Sequence, residues 1–185
     1  MLQFPPTPSW DAMHPLLIHF PIVLLLLSPL FVAISAALPP PRSRPYLLMA
    51  LIVLLLGTGS LFLAASSGEE AAELADRAGG VNAVLSAHEA LASTTKIVFS
   101  VCSLGLLGLF AWPKLSRRPP TRVSTTAAPL VFLAVYSVGI LYLVNTAHAG
   151  GRLVHEFGVH AMLQAQSADS RSAPASTPSE RDKRD

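Results

Sequence analysis

Charge is what this chain has least of. Only 13% of its 185 residues are charged, while 51% are hydrophobic, and a soluble domain carries about 25% charged residues. So few ionic groups cannot cover a water-facing surface. Cysteine is almost missing as well: Cys102 stands alone inside an apolar run. That excludes an intramolecular disulfide and any metal or iron–sulfur site built on several thiolates. There is no HExxH, no ferritin-type ExxH pair and no CxxCH haem-attachment motif. No nucleophile–base set is visible either, which points away from bond-making catalysis. The basic residues are scattered near apolar segments and the net charge is only +2, so nothing argues for a nucleic-acid partner. Residues 1–13 carry no Lys or Arg and so lack the positive start of a secretory signal; they read as a lead crossing to the outside.

What remains is apolar length. Mean hydropathy is +0.51, and the charges that exist are bunched so that long apolar stretches separate them. The pattern predicts an all-α integral membrane bundle of four transmembrane helices, with the lipid bilayer as its first partner. The domain spans 14–165 and a polar 166–185 segment reads as a disordered tail. The first helix is expected over about His14–Leu38, with Pro15 at its start and Pro21 loosening its first turns. Pro39, Pro40 and Pro41 stop it. The second runs over about Tyr46–Ser67, with small residues such as Gly57, Gly59 and Ser60 suited to close packing.

Beyond it, Ser67-Gly-Glu-Glu is expected to open a short surface helix that Gly79-Gly80 ends. The third helix is expected over Asn82–Trp112, its purely apolar part starting at Ile97. The fourth is expected over Ala127–Ala147, broken by Gly150-Gly151, with Arg152–Gln164 as an interfacial segment. Gly57, Gly59, Gly105 and Gly108 read as packing residues, and no internal repeat stands out. Arg42, Arg44, Lys114, Arg117, Arg118 and Arg122 all fall in the two loops on one side. By the positive-inside tendency that side is cytoplasmic, so both termini are expected in the periplasm of a bacterial inner membrane.

All six histidines fall at the other, outer end. His14 and His19 open the first helix, His88 opens the third, His148 closes the fourth, and His155 and His160 follow it. A b-type haem between helices is held by imidazoles from two of them. His19 lies ~7 Å deeper than His14 by helix rise, so His19 and His88 are the expected axial pair. His14 and His155 are the further cofactor-binding candidates, His14 with a histidine beyond the fourth helix forming a possible second site. Arg152 and Lys96 are candidate partners for propionates. The same residues permit a bare Fe, Cu or Zn ion on His19 and His88, with His14 and Glu89 or Glu69. Against these stands a plainer alternative: interfacial histidines that bond headgroups, Lys96 snorkelling to the surface, and a cofactor-free accessory subunit of a larger membrane complex. The electron-transfer reading implies a redox partner.

At His14-Pro-Leu-Leu-Ile-His19-Phe-Pro-Ile the chain resembles a bacterial membrane family, domain of unknown function 2231, whose pattern is HPxxVHFPI. The similarity continues through Ser67-Gly-Glu-Glu-Ala, His88-Glu89 and Gly150-Gly-Arg-Leu-Val, covering about His14 to Val159. It implies a four-helix membrane domain, sometimes found beside cytochrome-like modules, and makes haem an expectation without supplying an established activity. One stretch departs from the family. Where Leu-Val-Tyr-x-His-Gly is the expected form, Leu153-Val154-His155-Glu156-Phe157-Gly158 stands. Either His155 or His160 replaces the family histidine, or that ligand is lost.

Overall fold

A computed structural model describes residues 7–73, 80–117, 121 and 123–159; the expected tail and His160 lie outside them. Four helical stretches are long and apolar enough to cross a membrane: Asp11–Ala37, Ser43–Glu73, Val81–Leu115 and Val123–His155. Within them a 3₁₀ turn at Asp11–Met13 leads into α1 (His14–Leu17) and α2 (His19–Ala37). Helix α3 is Ser43–Glu73, α4 is Val81–Leu115, and a π-helical turn at Val123–Ala127 leads into α5 (Ala128–His155). No strand occurs among the described residues. The interruption between α1 and α2 has a local cause: Pro21 lacks the N–H that the Leu17 carbonyl would take. Helical geometry continues through Ile18, whose N–H still bonds the His14 carbonyl.

The helices close into a ring, α2 against α3, α3 against α4, α4 against α5 and α5 back against α2. Packing is heaviest within the α2–α3 and α4–α5 hairpins and lighter between them. Leu25, Val32, Leu54, Phe99, Leu106 and Tyr136 fill the centre, while Leu and Val side chains cover the outside, as a bilayer requires. Gly57 lets α2 and α3 approach, since a Cβ there would lie 2.9 Å from Leu25 Cδ2. Gly59 and Gly108 do not share that role, because a Cβ on either would meet open space.

Polar groups inside the ring are paired. Thr58 and Ser103 bond each other across α3 and α4 at 3.0 Å. Pro29, inside α2, has no N–H to give the Leu25 carbonyl one turn back. The Tyr136 hydroxyl donates to that carbonyl at 2.8 Å instead, while its ring meets Phe99 edge-on, centroids 5.3 Å apart.

Two helices run further than the sequence pattern predicts. α3 continues through Ser67-Gly68 to Glu73 rather than restarting there. α5 continues through Gly150-Gly151 to His155 rather than breaking. A glycine inside a helix costs about 1 kcal/mol relative to alanine, so an offsetting gain is needed at both places; the site described below supplies it. α5 ends instead near Gly158, at φ +64°, where the Val159 N–H turns back to the Leu153 carbonyl. Val84, Phe157 and Val159 join Ala72, Val81, Leu85 and Leu153 in a second apolar cluster at this end of the ring.

Replacing Tyr136 by Phe strands the Leu25 carbonyl and is expected to cost about 1–3 kcal/mol. In a Pro29→Ala background, where residue 29 regains its N–H, the same change should cost clearly less. Thermal unfolding of the four proteins in detergent measures the difference; equal costs in both backgrounds would remove the proline from the explanation.

Candidate functional site

Five of the six histidines are described, and they divide sharply. His14 and His88 are half-buried, whereas His19, His148 and His155 are exposed. The His14 Nδ1–H donates to the Ala64 carbonyl at 2.8 Å and is shared with Ser67 Oγ at 3.1 Å. The His88 Nδ1–H donates to the Thr146 carbonyl at 3.0 Å. A carbonyl can only accept, so Nδ1 carries a proton in both rings; in the neutral imidazole the lone pair is then on Nε2. No described residue engages either Nε2.

The two rings also sit alike on the neighbouring helix. A Cβ added to Gly68 would lie 2.7 Å from His14 Cε1, and one added to Gly150 would lie 3.0 Å from His88 Cε1. In each case the glycine stands four residues after the accepting carbonyl, Ala64 then Gly68 and Thr146 then Gly150, one turn along the same helix face. The missing side chain opens the carbonyl to approach from the side. Each hairpin therefore carries the same unit: a histidine near the start of its first helix, seated on a carbonyl and a glycine near the end of its second. This is a repeat of geometry that sequence similarity did not reveal.

Buried hydroxyls hold these seats. Ser67 Oγ donates to the Ala64 carbonyl at 2.9 Å. Thr95 and Thr146 bond each other at 2.9 Å across α4 and α5, so the helix bearing His88 is tied to the turn that receives it.

Of the pair expected from depth along the helix, His88 is half-buried and His19 is exposed; the other half-buried histidine is His14. Five residues of helix rotate a side chain by roughly 140° relative to its starting face. With His14 turned inward, His19 therefore faces out, beside the 56%-exposed Phe20. His155 is exposed beyond Leu153, and Phe157 lies in the apolar cluster with its ring against Gly80. Among the described residues no three His, Cys, Asp or Glu side chains converge on a metal-sized space, so His14, His19 and His88 do not assemble with Glu69 or Glu89. Glu69 instead pairs with Lys96 at 3.5 Å. Arg152 is bound to Glu156, N to O 2.8 Å, and its hydrogen bonding holds the Glu156 carboxyl below the usual carboxylate range.

All of these residues fall within one family region: residues 11–162 match the family described as "Predicted membrane protein (DUF2231)". The chain belongs to that family. No curated protein and no solved structure matches it. The resemblance seen in the histidine motif thus holds over most of the chain. Membrane localisation is common to the family description and the four apolar helices.

Ala64, Ser67, Gly68, Thr146 and Gly150 were not singled out from the sequence as partners of the histidines. Both glycines did stand in noted motifs, but as helix punctuation. Gly68→Ala and Gly150→Ala are each expected to displace an imidazole and destabilise the bundle by about 1–3 kcal/mol. Gly59→Ala, facing open space, should be neutral or stabilising by up to about 1 kcal/mol. Detergent melting curves of the three variants give the comparison, and a Gly68→Ala protein as stable as Gly59→Ala would discard the seat.

Proposed function

We propose that this protein binds b-type haem between His14 and His88 and carries electrons at that end of the bundle. The carrying observation is the matched pair of Nδ1–carbonyl hydrogen bonds, which leaves a basic Nε2 on each of two helices. Imidazoles that ligate a metal characteristically donate their other N–H to a carbonyl or carboxylate, which fixes the tautomer and raises ligand basicity. Two imidazoles are too few for a structural zinc site, which takes four protein ligands. They suit an iron that already holds four porphyrin nitrogens. Haem bound there supplies one-electron exchange between ferric and ferrous iron. The chain orients two rings through Ala64, Ser67 and Thr146, with Nδ1 of each turned to a carbonyl and Nε2 left to face a ligand. It also offers apolar neighbours one turn outward at Leu85 and Leu153.

The competing reading is a cofactor-free accessory subunit in which the two histidines only pin helices together. A dithionite-reduced minus oxidised spectrum of the purified protein, with pyridine haemochrome quantitation, separates the two. A b-type spectrum is expected, lost in His14→Ala and in His88→Ala but kept in His19→Ala and His148→Ala. Colourless protein with blank metal analysis would leave the accessory subunit standing.

We also infer that the histidine end faces the periplasm of a bacterial inner membrane. Arg42, Arg44, Lys114 and Arg117 stand at the opposite ends of the spans, where positive charge marks the cytoplasmic side. An alkaline phosphatase reporter fused after Asp185 is expected to be active; activity only from cytoplasmic reporters at that position would invert the orientation.

A further inference from the structure

We infer that Lys96 is the cation that receives a carboxylate on the edge of the bound tetrapyrrole, displacing Glu69; this rests on the haem reading above. Its ammonium belongs to a membrane-spanning helix, where a charge is costly without a partner. The partner it has is unequal to it. The Lys96 side chain is 21% exposed and that of Glu69 71% exposed, at 3.5 Å. So exposed a carboxylate is held by little else in the protein, while the more sheltered ammonium requires another anion if it leaves. The pair is exchangeable on one side only.

Position supports the assignment. Glu69 directly follows Gly68, on which the His14 ring rests. Lys96 directly follows Thr95, which is bonded to Thr146, the residue whose carbonyl holds His88. The ion pair therefore bridges α3 and α4 with one member next to each histidine seat. Arg152, the other cation considered for this role, is placed differently. It is two residues past Gly150, roughly 200° around the helix from the face that seats His88, and its guanidinium is occupied by Glu156. Among the described residues, an anionic edge emerging between the imidazoles has Lys96 as the cation on the inter-hairpin seam.

The test uses the full-length apoprotein in detergent, titrated with ferric protoporphyrin IX and with its dimethyl ester, which lacks the carboxylates. The diacid is expected to bind roughly tenfold more tightly than the diester, equivalent to about 1.4 kcal/mol. Lys96→Met should bring that ratio close to one, and Lys96→Arg should preserve most of it. Glu69→Gln should widen it, because the ammonium loses its competitor. Comparing ratios cancels any general loss of stability. If Lys96→Met weakens both porphyrins alike, or leaves both unchanged, the carboxylate assignment is overturned while the haem reading survives. If neither porphyrin gives a low-spin, bis-imidazole spectrum with the wild-type chain, the haem reading fails and this inference with it.

Discussion

In an apolar bundle, a helix carbonyl that can be reached from the side is an anchor, because lipid offers no competing donor and no hydrophobic force draws the helices together. The organisation of this protein depends on such anchors. His14 reaches Ala64, Ser28 reaches Ala50, His88 reaches Thr146 and Tyr136 reaches Leu25, each on another helix. Three of these carbonyls are made available by neighbouring residues. Pro29 withholds the N–H that would have bonded Leu25, and Gly68 and Gly150 remove the side chains that would crowd an approaching imidazole.

Helix number, order and rough extent were legible in the sequence because each depends only on apolar length. The clustering of histidines at one end was legible for the same reason, since depth in the membrane follows from distance along a helix. Rotation about the helix axis was not. His19 read as the better ligand because it lies deeper, yet the five-residue step from His14 turns it to the outside. Direction of facing is decided by which neighbour each helix packs against, and no single sequence states that.

The glycines misled for a related reason. Gly68 and Gly150-Gly151 carry the local signal of a helix end, and in an isolated peptide they would weaken the helix. Here the lost propensity is offset by the close fit of a histidine ring and its hydrogen bond to the turn below. Phe157 is a third case. The family pattern suggested a ligand position, but in this chain that position feeds the apolar cluster with Val81, Leu85 and Leu153.

The two-hairpin construction has a mechanical consequence. Each hairpin is tightly packed in itself and bears one complete jaw, while the distance between jaws is set by the sparser contacts of the seam, Thr58 with Ser103 and Lys96 with Glu69. Sequence change on the α3–α4 seam can therefore shift one imidazole seat relative to the other while each seat stays as it is.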